Sequence, residues 1–202
     1  MKNYQITEWC SHFIRQQVKE GDFCIDATVG NGNDTVLLCE LAGSKGKVAG
    51  FDIQEKAVEE TRTRLKERGL DSGAKLFCCG HERMEECLRS DPDCAKMTER
   101  AEDGYGKVSC IVFNFGYLPG GDHKIATKAE SSVEAIRQGL TLLEKNGMMS
   151  LCIYSGGDSG FEERDRILAY LKGLDSRKYL VIMSSYYNRP NNPPIPAMII
   201  RL

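Results

Sequence analysis

The sequence predicts an α/β fold: a mostly parallel, seven-stranded sheet with an antiparallel hairpin at its C-terminal edge. Three observations predict it. Short apolar runs alternate with segments of helical character from one end of the chain to the other, the pattern of βαβ units with right-handed crossovers. A glycine-bearing loop, Gly30-Asn31-Gly32, follows the first apolar run, as it does in doubly wound folds whose ligands bind at the carboxyl ends of the strands. The last two runs succeed one another without a helix, and Pro193, Pro194 and Pro196 lie between them, which suits an edge pair.

Each element has its own reason. Residues 7–20, with Ile14 and Val18 among polar neighbours, read as an opening amphipathic helix. Residues 23–28 form the first strand, and Asn33 is placed to cap a helix over 34–41 that stops at Gly43. A second strand spans 47–53, and a charged helix over 54–68 ends at Gly69. A third strand at 75–79 leads into a helix over 81–89, and the polar, turn-rich residues 90–107 read as a surface excursion. Residues 109–115 are a strongly apolar fourth strand, followed by a glycine- and proline-rich loop at 116–122. The helix over 127–145 is expected to stop at Asn146-Gly147. Strands at 148–154, 179–187 and 197–202, with a helix at 161–172, complete one domain of residues 1–202.

Composition narrows the function. Net charge is −2, which argues against coating nucleic acid by bulk electrostatics but leaves room for a folded RNA held by a local basic patch. The start has no apolar signal segment and no window approaches a membrane span, so a cytoplasmic protein without a membrane partner is expected. The nine cysteines are odd in number and contain no CxxC pair. They read as small buried hydrophobes in a reducing compartment rather than as metal ligands.

The glycine loop carries the first functional signal. Gly30 and Gly32 permit a sharp turn and close approach of backbone to ligand. Thr35 stands where a dinucleotide fingerprint would have its third glycine, and the acid Asp26 precedes the loop. A carboxylate there repels a pyrophosphate and welcomes a sulfonium or ammonium, which turns the reading from a nicotinamide toward S-adenosyl-L-methionine (SAM). Asp52 ends the second strand about twenty residues on, the distance at which an acid bonds ribose hydroxyls. His81 and Glu82 follow the third strand, where they can line an adenine pocket or fix the methionine end.

The acceptor side is expected after the fourth strand, in Asn114-Phe115-Gly116-Tyr117-Leu118-Pro119-Gly120-Gly121-Asp122. Asn114 can orient an amine because its amide both donates and accepts. Tyr117 offers a ring face to a base. Asp122, His123 and Asp26 are candidate proton acceptors. Tyr186-Tyr187-Asn188-Arg189-Pro190 in the last connection suits stacking on a splayed nucleotide and contact with phosphate. Lys124, Lys128 and Arg137 could add a basic rim.

Taken together, the segments 26–35, 50–54, His81-Glu82, 113–122 and 188–194 resemble a bacterial family, the MnmM-type tRNA methyltransferases, earlier described as rRNA methylases. The resemblance spans nearly the whole chain and implies the Rossmann-like class I methyltransferase fold. It implies methylation of the amine of 5-aminomethyl-2-thiouridine at the tRNA wobble position, in the anticodon stem-loop, to 5-methylaminomethyl-2-thiouridine. It also implies that Asn31, Asn33, Asp52, Gln54, His81 and Glu82 hold SAM, alongside Asp26, Gly30 and Gly32. Asn114, Tyr117 and the turn Gly120-Gly121-Asp122 would face the acceptor, with Lys124, Tyr154, Asn188 and Arg189 beside it. One departure stands out: Gly157 occupies the place of the family's usual histidine in Tyr154-Ser155-Gly156-Gly157.

Other readings are a SAM enzyme acting on rRNA or a small amine, a nicotinamide oxidoreductase, and a SAM-binding module without catalysis. The exposed edge of the terminal hairpin would permit a homodimer.

Overall fold

The computed structural model describes residues 5–116, 127–155 and 157–202, with the backbone alone for 157–159. Seven strands form one sheet in the order β3-β2-β1-β4-β5-β7-β6. They are β1 (Phe23–Asp26), β2 (Lys47–Asp52), β3 (Ala74–Cys78), β4 (Val108–Phe115), β5 (Leu143–Ile153), β6 (Tyr179–Met183) and β7 (Ile195–Arg201). β1 to β5 are parallel, and β7 runs antiparallel to both β5 and β6. The strand order reverses between β1 and β4, which opens a crevice at their carboxyl ends.

The helices are α1 (Ile6–Gln17), α2 (Asn33–Ala42), α3 (Glu55–Glu67), α4 (Met84–Ser90), α5 (Ala129–Leu142) and α6 (Gly157–Lys172). Their apolar stripes cover the two faces of the sheet. In α1 the stripe is Ile6, Cys10 and Ile14, and in α3 it is Ala57, Val58, Thr61 and Leu65, both at helical spacing. One core unites Ile14, Leu38, Leu65 and Cys110 under α1, α2 and α3. The other unites Phe51, Met84, Phe113, Ile136 and Ile167 under α4, α5 and α6. β4 is buried on both faces, as its near-continuous apolar run requires.

Besides shifted boundaries, such as β6 ending at Met183 and not at 187, three details differ from the sequence expectation. Asn33 does not cap α2: the cap is Gly32 at φ +72°, and Asn33 is the first helical residue. Asn146-Gly147 does not end a helix. α5 stops at Leu142 because Leu143 already pairs with Val108, and Asn146 (φ +63°) bends the strand before Met148 pairs with Cys110. The polar stretch 90–107 is not wholly superficial either. Cys94 and Met97 are fully buried and pin it to the core, and Lys75 grips Asp91 at 2.7 Å.

Candidate active site

A cavity of about 860 Å³ opens at the switch point, within the size range of small-molecule and cofactor sites. The loop after β1, the ends of β2 and β4, the turn after β3 and one side of α1 form its walls.

The loop is held from both sides. Gly30 has φ +51°, and its N–H donates to Asp52 Oδ2 at 2.8 Å. The Gln54 N–H donates to Asp52 Oδ1 at the same distance. Each Asp52 oxygen is thus fixed by a backbone donor yet keeps lone pairs for a ligand. Arg64 of α3 donates to the Asn31 carbonyl and to Asn33 Oδ1, both at 2.7 Å, and so stakes the outer side of the loop. Gly32 packs behind it: a side chain there would meet Thr61 Oγ1 at 2.6 Å, and the Gly32 N–H is used by the Val29 carbonyl. Gly32 therefore shapes the turn and does not line the cavity.

Asp26 is a larger correction. It is fully buried and does not line the cavity. Its oxygens accept the Thr28 N–H at 3.2 Å and the Thr35 hydroxyl at 2.6 Å. Burial, reinforced by the nearby Asp34, pushes its carboxyl up to about 7. It is an internal anchor and not a counter-charge in contact with a cation. Of this pair it is Asp34, in the first turn of α2, that reaches the cavity. Burial raises it too, while a hydrogen bond from Asn114 opposes the rise.

Asn114 lines the cavity from the end of β4. Its backbone N–H donates to Thr28 Oγ1 at 2.7 Å and its side-chain Nδ2 to Asp34 Oδ2 at 2.8 Å. Asp26, Thr28, Asn114 and Asp34 thus form one connected network. Close by, Gly116 and Thr127 are joined to one another. Gly116 N–H donates to Thr127 Oγ1 at 2.8 Å, and Thr127 donates to the buried Glu163, which also takes the Ser132 hydroxyl. Burial holds Glu163 above the usual carboxylate range, with both hydroxyls opposing.

His81 and Glu82 occupy the turn after β3 and line the cavity. The His81 ring packs edge-on to Phe113 and Phe115, and burial lowers its basicity, favouring the neutral imidazole. The Glu82 carboxylate folds back over Gly80: a side chain at position 80 would lie 2.4 Å from it and displace it. Gln54 and Tyr154 also line the cavity. Asn188 and Arg189 do not. They sit exposed in the β6–β7 connection, which touches the site's edge through Ser155 Oγ and the Asn192 carbonyl at 3.3 Å. Lys128 lines the mouth, whereas Arg137 is engaged with Glu134 on the surface of α5. Tyr117, Gly120, Gly121, Asp122, His123 and Lys124 lie outside the described residues.

The sequence reading missed Asp34, Arg64, Ile53 and the wall made by α1. Ile53 is 57% exposed at the cavity beside Asp52, an apolar face in a place that water would otherwise claim. Its signal was an isoleucine directly after a strand-ending acid. Thr7, Ser11 and Arg15 line the cavity. They recur every four residues beside the buried stripe of α1, a spacing that was present in the sequence.

The fold, with its glycine loop, strand-ending acid and cavity at the switch point, defines a methyltransferase of the Rossmann-like class I type. Residues 48–200 match the family described as "Putative rRNA methylase", and the chain belongs to that family. It is 32% identical, over 95% of its length and 68% of the relative's, to the chloroplastic tRNA (mnm(5)s(2)U34)-methyltransferase of Arabidopsis thaliana. Among solved structures it resembles an rRNA methylase homologue from Clostridium thermocellum (36% identity, all of both chains, TM-score 0.89). It also resembles a methyltransferase homologue from Streptococcus mutans in complex with SAH (30% identity, 99% of both chains, TM-score 0.82).

Proposed function

We propose that this protein is a SAM-dependent N-methyltransferase. It converts 5-aminomethyl-2-thiouridine at the wobble position of tRNA to 5-methylaminomethyl-2-thiouridine. The observation that carries the reading is Asn114, held by Thr28 and Asp34 at the end of β4 inside the cavity. An amide there can accept an amine N–H and orient the nitrogen. The Arabidopsis relative, matched along nearly the whole chain, bears a tRNA methyltransferase name. That favours tRNA over the rRNA of the family description.

The donor set fits SAM. Asp52 has acceptor capacity left for ribose hydroxyls, Ile53 and the neutral His81 supply apolar and ring surface for adenine, and Glu82 can take the methionine ammonium. Gly30, Asn31, Asn33 and Gln54 complete that wall. In the transfer, the acceptor nitrogen forms the new N–C bond with its lone pair as the S–CH₃ bond breaks, sulfur keeps the electron pair, and one proton leaves the nitrogen. The chain's contribution is orientation and exclusion of water, which can supply much of the acceleration.

Tyr117, Asp122, Gly120, Gly121 and Lys124 are assigned to the acceptor side by their place after Asn114. Tyr154 closes that wall, and Asn188 and Arg189 serve as an outer rim for the anticodon stem-loop. The exposed Leu180, Ile182 and Met183 on the open strand β6 are the surface on which a second copy would pair. Work on cytoplasmic tRNA by a single domain of residues 1–202 is the setting this reading implies. No helix among the described residues is long and apolar enough to cross a membrane.

The test is methyl transfer from labelled SAM to bulk tRNA from cells lacking this protein, read by nucleoside mass spectrometry. The expected result is one methyl gained on 5-aminomethyl-2-thiouridine. Label in rRNA, or SAM binding with no transfer to tRNA, would overturn the acceptor assignment.

A further inference from the structure

Asp34 has no part in the scheme above beyond its bond to Asn114, yet the geometry gives it a specific task. An asparagine amide has two ends of opposite hydrogen-bonding sense: Oδ1 only accepts, and Nδ2 only donates. If Nδ2 faced an incoming amine, it would donate to the lone pair of the nucleophile, the pair that must form the new bond. If Oδ1 faces it, an N–H of the amine is held and the lone pair is left for attack. The sense of the Asn114 amide therefore decides whether the residue helps or hinders.

Asp34 decides that sense. It lines the cavity beside Asn114, and Nδ2 lies 2.8 Å from its Oδ2. A carboxylate accepts only, so the end of the amide against it is the nitrogen, and the planar amide turns Oδ1 the other way. The residue can afford no drift at the backbone either, because the Asn114 N–H is bonded to Thr28 Oγ1 at 2.7 Å. Thr28 is itself bonded to the buried Asp26. Asp34 stands in the first turn of α2, directly after the αL turn at Gly32, so the loop that cradles one substrate also aims the residue that orients the other.

We propose that Asp34 is a positioning residue for methyl transfer: its carboxylate locks the Asn114 amide with Oδ1 toward the acceptor amine, and it serves no cofactor contact. The proposal rests on the reading of the protein as an amine methyltransferase.

The experiment compares wild type, Asp34→Ala, Asp34→Asn, Asn114→Ala and the Asp34→Ala/Asn114→Ala double variant. Each is assayed with tRNA bearing 5-aminomethyl-2-thiouridine at saturating SAM, with SAM affinity and thermal melting measured in parallel. Asp34→Ala is expected to lower kcat by about 10²-fold, the cost of a misaimed reacting group, with SAM affinity and melting unchanged. Asp34→Asn is expected to recover most of the loss, because an asparagine carbonyl can also accept from Nδ2. The double variant should be no slower than Asn114→Ala alone, since the two residues act as one unit.

Wild-type kcat in Asp34→Ala, an Asp34→Asn as slow as Asp34→Ala, a double variant slower by the product of the singles, or a loss of SAM affinity would each overturn the proposal. An active wild type with any of these outcomes leaves the functional reading intact. An inactive wild type that still binds SAM sinks that reading first, and the role of Asp34 with it.

Discussion

The two sides of the cavity are built by different means. On the side of β1, β2 and β3, the wall consists of short turns at strand ends, and its polar groups are fixed by the neighbouring turns and by α3. Asp52 clamps Gly30 and Gln54, Arg64 stakes Asn31 and Asn33, and Glu82 folds over Gly80. On the side of β4 and β5, the wall gathers groups from distant segments: Ser11 and Arg15 of α1, Asn114, Thr127, Lys128 and Tyr154. The first side presents a bed whose polar groups are held by short hydrogen bonds, as a cofactor of constant shape would need. The second depends on packing between distant segments, with the exposed β6–β7 connection that carries Asn188 and Arg189 lying beyond its edge. A site that holds the same donor each time can be written into local turns. A site that admits a folded macromolecule needs surface from several elements.

This contrast can be broken by substitutions on either side. The largest expected effect lies on the acceptor side: Asn114→Ala should cut kcat by about 10²–10³-fold, the scale of losing a preorganised polar contact at the reacting centre, with SAM affinity unchanged in equilibrium titration. A parallel loss of SAM affinity would merge the two sides into one.

Next is Asp52→Ala, which removes a charged acceptor from the cofactor bed. It should weaken SAM binding about 10²-fold, on the scale of hydrogen bonds to a charged group, and leave kcat at saturating SAM near that of wild type. Calorimetric titration that finds unaltered affinity would remove Asp52 from the cofactor wall.

A smaller effect concerns the anchor shared by both sides. The Asp26 carboxyl is raised in the fold from its ordinary 3.8 to about 7, so the folded chain binds this proton more tightly than the unfolded chain does. Its contribution to stability is greatest below pH 4 and is lost as pH rises toward 7. Melting temperature followed from pH 5 to 8 should therefore fall less steeply in Asp26→Asn than in wild type. Equal slopes would show that Asp26 titrates normally.

The smallest effect belongs to the rim. Arg189→Ala should raise the KM for tRNA a few-fold, lower the salt dependence of binding by about one phosphate contact, and leave SAM affinity alone. A tRNA KM that does not move at low salt would take Arg189 off the RNA surface.

Much of this was legible in the sequence, unevenly so. The order of strands and helices follows from alternating periodicity, and Asp52 was found because it ends an apolar run at a set distance from Gly30. Asp26 was recognised as unusual but given the wrong task. An acid at the end of a central strand can point along the crevice or into the space under α2, and only the bonds from Thr28 and Thr35 show that it does the latter. Residues 90–107 looked superficial because their charges outnumber their apolar groups, yet Cys94 and Met97 alone suffice to bury one side. Asn146-Gly147 carries the local chemistry of a helix stop, and the pairing of Leu143 with Val108 overrode it.

By itself the sequence determined the α/β class, the parallel core with an antiparallel end, the glycine loop and the acid that ends the second strand, because these depend on periodicity and on conformations available to a few neighbouring residues. Tertiary structure alone decided which of Asp26 and Asp34 meets the cavity, which end of the Asn114 amide is bonded to Asp34, and that α1 closes the wall. Those outcomes depend on side-chain directions and hydrogen bonds between residues as much as 86 positions apart, as in the bond from Asn114 to Thr28, and no local pattern encodes a direction across that distance.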